Sequence, residues 1–434
     1  MKQKLITLVL TLVAVFVPLL VTPIKGVFDY NIAKITVLLT AGVLLLILLL
    51  VSYKNLEIDK KDIVILIFIM LVIISTFLST DIKKSILGEK HRYEGLLTFC
   101  TYICIYLCSK KYFKYEKISK FLNIMFYVSM AMGIFGIIQK HISCKELYPL
   151  FNKGMCSTIG NSNFFGSFIC IVLPIALTIF ILKGNKKSFI LSSILFFNMI
   201  ASGTRSAWIA FFIVVCIGGI YLIKQKNKKY FIISGIISVC FVIICAYLLG
   251  AFGFVSKTVV NEDIKKTNNP VEKVEQVKKD IKRITEKDGN YKKIGSNRLW
   301  IWKMSYNVMV QTPMFGCGPD NLKEGIIRYS LEEIYEYAKK QHKVVDKAHN
   351  EFLHIGATMG IPALICYLIF IGSILIPKMK LIFKNNVYFA IVLAIISYLS
   401  QAFFNISTIG VAPLFWMILG LIDNEDFIKK LEEV

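Results

Sequence analysis

The sequence is poor in charge and lacks the motifs of several soluble enzyme classes. Only 18% of its 434 residues are charged, whereas 56% are hydrophobic. It has no Gly-x-x-x-x-Gly-Lys-[Ser/Thr] phosphate-binding loop, and no Asp-x-Asp pair of the kind that holds a metal and a nucleotide sugar. Its five histidines form no i, i+4 zinc pair, and no Cys-x-x-Cys pair occurs. The sequence therefore predicts neither a metal site nor a cofactor.

The eleven cysteines fall mostly inside apolar segments, where cysteine packs as a small hydrophobic residue. Cys144, Cys156 and Cys317 are the exceptions, because they fall in segments predicted to lie outside the cytoplasm. A disulfide among them is compatible with that compartment. The sequence leaves open whether any of the three pair.

Long apolar blocks are the dominant feature of the chain. They repeat at roughly 18 to 20 residues, the length needed to cross a hydrocarbon core. They show no polar face, unlike the amphipathic helices of soluble proteins. We therefore predict an all-α polytopic membrane protein of about twelve transmembrane helices. The predicted spans are about 5–22, 35–52, 62–80, 95–108, 121–139, 164–182, 188–202, 207–223, 230–250, 351–376, 387–404 and 406–422.

The net charge of +23 arises from basic clusters such as Lys110-Lys111, which lie between predicted spans. Beside membrane helices, such clusters indicate orientation by the positive-inside rule rather than a nucleic-acid partner. Their distribution predicts cytoplasmic termini and one large extracytoplasmic loop at 251–350. The chain then divides into nine helices in 1–250, this loop, and three helices with a short tail in 351–434.

The predicted loop contains two helical patterns. Val271, Val274, Val277, Ile281 and Ile284 recur at helical spacing among lysines and glutamates. This pattern predicts an amphipathic helix on the bilayer surface, with a solvated charged helix as the alternative. A second helix is predicted over 298–311, preceded by a serine N-cap and ended by a Thr-Pro pair.

Distinctive polar motifs collect at the predicted outer ends of the spans. Each could instead be an interfacial group without a chemical role, as is common for arginine near lipid headgroups. Their shared side is what suggests a site. The motifs are Gly88-Glu-Lys-His-Arg92-Tyr-Glu-Gly95, Gly160-Asn161-Ser162-Asn163-Phe164-Phe165-Gly166, Gly203-Thr204-Arg205-Ser206 and Ala348-His349-Asn350-Glu351-Phe352-Leu353.

In order and sidedness, these motifs resemble those of the O-antigen ligase and polymerase superfamily. Arg298 with its Trp-rich helix, and the Pro-x-x-Gly-x-Gly-Pro that follows, extend the resemblance over most of the chain. The sequence departs from the family pattern at two places. Ser162 stands where members often have proline, and Thr358-Met359-Gly360 replaces a Glu-x-Gly after the His-Asn motif. The second departure removes a carboxylate expected near the active histidine.

The resemblance implies a GT-C-like fold and a bacterial inner-membrane glycosyltransferase of cell-surface polysaccharide biosynthesis. Its donor is a glycan on a polyprenyl diphosphate, and its acceptor is a hydroxyl of a glycan, lipid or protein. His349 is the expected general base, because the N-terminus of the following helix disfavours its imidazolium form. Inverting, metal-independent transfer is expected. Arg205 and Arg298 are expected to bind the diphosphate, with further contacts from Arg92 and Lys140 and support from Asn350, Asn161 and Asn163.

Three alternatives remain open. Ligase and polymerase use the same donor and base, so the sequence does not separate them. A SEDS-type peptidoglycan polymerase shares the general architecture, although its outer-loop carboxylate pattern is not found. A secondary transporter or lipid-linked glycan flippase would place ionisable residues near the bilayer midplane, whereas here the candidate residues gather on one face.

Overall fold

The computed structural model describes residues 2–22, 30–52, 58–141, 155–224, 297–341 and 344–432. The regular secondary structure of these ranges is entirely helical, with no strand. Two 3-10 segments occur, at Ser157–Ile159 and Ile376–Phe383. The α-helices, numbered α1 to α17 in chain order, are Lys2–Leu19, Ile32–Val51, Lys60–Phe77, Ile82–Leu87, Leu96–Tyr112, Tyr115–His141, Ser162–Lys183, Lys186–Ala201, Arg205–Lys224, Arg298–Gln311, Leu322–Tyr329, Leu331–Gln341, Glu351–Met359, Ile361–Leu375, Asn386–Ala402, Ala412–Ile422 and Glu425–Glu432.

Helices occupy most of each predicted span that the structure describes, although the helix in the predicted span 406–422 begins only at Ala412. Six are long and apolar enough to cross a membrane, judged by length and composition. The predicted ninth span, 230–250, and the amphipathic segment at 271–284 lie outside the described residues, as does Cys144. The structure describes no disulfide between Cys156 and Cys317, both of which are buried. The six candidate spans are Lys2–Leu19, Ile32–Val51, Tyr115–Lys140, Ser162–Lys183, Arg205–Lys224 and Ile361–Phe383.

Helix α7 is the centre of the bundle. It packs against α8, α9 and α15, and an unbroken series of its residues from Phe164 to Ala176 is buried. Helix α5 is similarly enclosed, between α2 and α16. Because the side chains all around these helices are apolar or small, each can meet helical neighbours on several sides. The outer helices α1 to α3 and α14 instead leave large aliphatic side chains exposed, as expected of surfaces that face lipid.

The predicted tenth span is not one helix, and this part of the prediction is wrong. Helices α13 and α14 are separated at Gly360, whose φ is 95°. A Cβ atom on Gly360 would lie 2.2 Å from the Met314 carbonyl oxygen. Pro362 lies in the first turn of α14, where its missing N–H is tolerated. The break frees α13 to follow its own direction beside α10, with which it packs.

Helix α10 confirms the prediction made for 298–311. The predicted serine N-cap is wrong, because the N-cap is Asn297, whose side chain makes no capping hydrogen bond. Together with α11 and α12 it forms a second, smaller hydrophobic core around Met304, Val308 and Ile326. Gly356 of α13 lets this unit approach closely, since a Cβ there would lie 2.7 Å from Met309 Sδ.

Buried ion pairs close the end of the bundle at which α3 begins and α5 ends. Lys110 Nζ lies 2.7 Å from Asp62 Oδ1 and 3.2 Å from Asp423 Oδ2. Lys61 and Lys378 also contact Asp423. Lys110 was interpreted as part of a basic cluster between spans, but its side chain is 1% exposed. Its positive charge is therefore neutralised inside the protein.

Candidate active site

The loop at 88–95 joins α4 to α5 at the opposite end of the bundle. Its backbone folds back on itself, because a Cβ on Gly95 would lie 2.4 Å from the Gly88 nitrogen. Asp320 holds both ends of this loop. One of its carboxylate oxygens, Oδ2, accepts hydrogen bonds from the backbone N–H of Glu89 at 2.7 Å and of Glu94 at 3.2 Å. These contacts fix the segment that carries Arg92.

His349 lies immediately before α13 rather than inside it. Asn350 is the N-cap, and its Oδ1 accepts a hydrogen bond from the Leu353 N–H at 3.0 Å. His349 adopts a left-handed conformation with φ of 49°, which is uncommon for a residue with a side chain. Such strain persists only where neighbouring structure enforces it, and it clusters at functional sites. The Asn350 cap therefore fixes the start of α13, and it holds the backbone next to His349 in a defined conformation.

Arg205 and Arg298, at the first positions of α9 and α10, lie close together. Burial lowers the pKa of the Arg298 guanidinium, and the positive charge of Arg205 lowers it further. Neither arginine makes an ion pair with an acidic side chain in the part of the chain that the structure describes. Two adjacent guanidinium groups that have no acidic side-chain partner among the described residues form a site suited to phosphate oxygens.

His349 lies in the electrostatic field of this cluster. Its pKa is lowered to about 4, first by burial and then by the charges of Arg298, Arg92 and Lys347. The carboxylate of Asp346 acts in the opposite direction. The imidazole is therefore neutral at pH 7 and can accept a proton. The structure thus brings together His349, Arg205, Arg298 and Arg92 from four separate parts of the sequence.

The starts of α7 and α9 are joined beside this cluster. Asn161 caps α7 by accepting a hydrogen bond from the Asn163 N–H at 2.8 Å. The Asn163 carbonyl accepts from Asn405 Nδ2 at 3.2 Å. Thr204 Oγ1 donates to the Ser162 carbonyl at 3.1 Å, which ties Arg205 to the N-terminus of α7. Ser162 is the first residue of α7, a position that also favours proline, so this departure from the family pattern leaves the helix start intact.

Lys140 is not brought into the cluster by any contact that the structure describes. Its Nζ lies 5.7 Å from the centre of the Phe197 ring, a geometry typical of a cation–π interaction. The assignment of Lys140 to the diphosphate rests on sequence position alone.

Several buried polar residues behind the site received no role from the sequence. Glu94 accepts hydrogen bonds from Ser407 Oγ at 2.8 Å and Tyr102 OH at 3.2 Å, and burial raises its pKa. Glu351 accepts from Tyr367 OH at 2.8 Å and Tyr398 OH at 3.2 Å. Glu94 and Glu351 both line a cavity of about 20 Å³, which is large enough for one water molecule.

These carboxyl groups were detectable in principle. Glu94 and Glu351 each stand at the edge of an apolar block, inside the motifs already noted, and an ionisable residue at a membrane helix is a functional signal by default. His354 borders the same cavity, and its Nε2 lies 3.4 Å from Lys347 Nζ.

The helices and this site define a helical membrane protein with a basic, histidine-containing cluster at one end of its bundle. Residues 190–368, which include Arg205, Arg298 and His349, match the family model described as O-antigen ligase. This match covers less than half of the chain, and it supports the resemblance to the O-antigen ligase superfamily that the motifs carry. No curated protein sequence matches it.

Proposed function

We propose that this protein transfers a glycan from a polyprenyl diphosphate to an acceptor hydroxyl at the outer face of the bacterial cytoplasmic membrane. The family match supports a membrane protein with a glycan ligase-like or polymerase-like role. The finer assignment rests on the site. Arg205 and Arg298 converge without an acidic partner among the described residues, and a neutral histidine lies in their field.

The two arginines suit a leaving group that gains negative charge. As the bond between the anomeric carbon and the diphosphate oxygen breaks, its electron pair passes to the diphosphate. Guanidinium groups can bind phosphate oxygens in a bidentate manner and stabilise that charge. Arg298 is partly desolvated, which strengthens such an interaction.

His349 suits the other half of the reaction. The acceptor oxygen forms a new bond to the anomeric carbon while its proton passes to the neutral imidazole. One displacement of this kind inverts the configuration at the anomeric carbon. The positive charges that disfavour imidazolium in the free protein are offset when the diphosphate binds, so the donor itself improves His349 as a base. Donor binding and proton acceptance are therefore coupled.

The direction of the helices supports an extracytoplasmic site. Helices α5, α7 and α9 all begin at the end that carries the site. At the opposite end, where α7 meets α8 and α5 meets α6, the helix ends and their connections carry the lysines expected to face the cytoplasm. The twelve-span topology, with cytoplasmic termini and an outer loop at 251–350, belongs to this proposal.

The decisive experiment uses purified protein, a polyprenyl-diphosphate glycan and an acceptor, with transfer followed on gels. Loss of a general base typically lowers the rate by roughly 10²–10⁴-fold, so His349→Ala should nearly abolish transfer while donor binding persists. Transfer should continue in the presence of chelators. A His349→Ala variant that transfers at the wild-type rate would show that the mechanism is wrong.

Two further measurements separate the alternatives. If the gene is removed, accumulation of single lipid-linked repeat units indicates a polymerase, whereas accumulation of long lipid-linked chains indicates a ligase. Counter-transport in proteoliposomes, with no change in the glycan, would instead favour a transporter or flippase.

A further inference from the structure

A buried ion pair lies directly behind the candidate site. Lys347 Nζ donates to Asp320 Oδ1, and the two side chains are 1% and 0% exposed. Burying both charges carries a desolvation penalty that their attraction offsets only with good geometry and further hydrogen bonds. Such a pair therefore adds little net stability by itself. Its role depends on which segments it holds in place.

The pair connects two segments that carry site residues. Asp320 uses its second oxygen to bind the backbone at Glu89 and Glu94, on either side of Arg92. Lys347 lies two residues before His349 in the chain. The backbone of the Asp320 turn is in turn anchored on α13, because the Gly318 N–H donates to the Thr358 carbonyl at 2.8 Å. One ion pair thus links the Arg92 loop, the histidine segment and α13.

His349 depends on anchors of this kind. Its left-handed backbone, with φ of 49°, requires that both neighbours be held. The Asn350 cap holds the C-terminal side, and Lys347 is the buried anchor on the N-terminal side. The side chain of His349 is itself partly buried.

We propose that the Lys347–Asp320 ion pair is the positioning centre of the site. It orients His349 relative to Arg92 and Arg298 without touching the substrate. This inference rests on the proposed transfer reaction, in which the base must meet a donor held by the arginines. Misplacement of a reacting group by about 1 Å can lower the rate by ~10²-fold.

The test uses Lys347→Met, Asp320→Asn and the double variant. Asn at 320 tolerates the left-handed φ of 59° and still accepts hydrogen bonds from the backbone. Each single variant leaves one buried charge without its partner and should lower Tm, whereas the double variant should regain much of that loss. We expect kcat per folded protein to fall at least 10-fold in all three, with donor Kd changed less than about 3-fold.

Lys378→Met is the control, because it removes a partly buried lysine, with a side chain 14% exposed, that contacts Asp423 at the other end of the bundle. It should lower Tm without changing kcat per folded protein. A second readout is the modification rate of His349 by diethyl pyrocarbonate, followed by mass spectrometry. This rate should change in Lys347→Met and in the double variant but not in Lys378→Met.

A double variant with wild-type kcat and an unchanged His349 modification rate would overturn the proposal, leaving the pair a purely stabilising one. The modification rate does not depend on glycan transfer. If wild-type protein shows no transfer, the proposed function fails, while the effect of Lys347 on His349 is still decided by the chemical modification.

Discussion

Arg92 Nε and Nη2 both donate to a single oxygen of Asp346, Oδ2, at 3.2 and 2.9 Å. The Arg92 guanidinium carbon also lies 5.5 Å from the centre of the Phe164 ring at the start of α7. Arg92 is therefore charge-balanced, in contrast to Arg205 and Arg298. Asp346 is also the negative group that raises the pKa of His349 against its positive neighbours, so it acts on the candidate base as well as on Arg92.

Replacing Asp346 with asparagine should move the pH dependence of the reaction. Neutral imidazole is the active form of a base, so activity is present above the pKa of His349 and lost as the pH falls through it. Because Asp346 raises that pKa, Asp346→Asn should shift the acid limb of kcat/KM to lower pH. Glu116→Gln, an exposed carboxylate at the start of α6, is the control and should leave the profile unchanged.

For the wild-type protein, the pH profiles of kcat and of kcat/KM should fall at different pH values on their acid sides. The kcat/KM profile reports the free enzyme, in which the pKa of His349 is lowered to about 4. A diphosphate bound at Arg298 adds negative charge near His349 and raises the pKa in the complex. The acid limb of kcat should therefore lie at higher pH than that of kcat/KM. Coincident limbs would mean that the donor does not offset the charges around His349.

Conservative replacement of the two arginines should weaken donor binding. Arg205→Lys and Arg298→Lys each keep a positive charge but lose the planar fork. A hydrogen bond to a charged group contributes ~1.5–3 kcal/mol, so we expect donor Kd to rise roughly 10-fold or more. Equilibrium binding of a polyprenyl diphosphate to purified protein measures this directly. An unchanged Kd in both variants would rule out bidentate binding by these arginines.

Lys140 provides a comparison within the same experiment. The sequence predicts a diphosphate contact, but the one contact that the structure describes for its charge is the Phe197 ring. We therefore expect Lys140→Met to raise donor Kd by less than Arg298→Lys does. If Lys140→Met raises donor Kd as much as Arg298→Lys or more, Lys140 does contact the diphosphate.

The proposed orientation is testable without any substrate. A reporter that is active only outside the cytoplasm should be active when fused near residue 290 and inactive when fused near residue 226. The reason is the excess of lysine and arginine on the connections assigned to the cytoplasm. The reverse pattern would contradict the proposed extracytoplasmic location of the site, and with it the proposed lipid-linked donor at the outer face.

The sequence predicted the helices well because membrane helices are recognised by their continuous apolar composition. This composition does not depend on contacts between distant parts of the chain. It missed the division of the tenth span, although the signal was present. Gly360-Ile361-Pro362 combines a residue that adopts positive φ with one that begins helices. The apolar residues on both sides masked it, because hydropathy does not register a change of helix direction.

The motifs around Arg92, Arg205, Arg298 and His349 were chosen from residue type and predicted side, and these are local properties of the chain. Sequence by itself therefore determined that arginines and a histidine would collect at one end of an all-helical bundle. It could not determine which of them lie together, because that depends on the packing of α7, α9, α10 and α13. Only the tertiary structure paired Arg92 with Asp346, left Arg205 and Arg298 without an acidic partner among the described residues, and buried Lys347 against Asp320. The physical reason is that ion pairing and desolvation depend on distance in space, whereas residue type and hydropathy depend only on position in the chain.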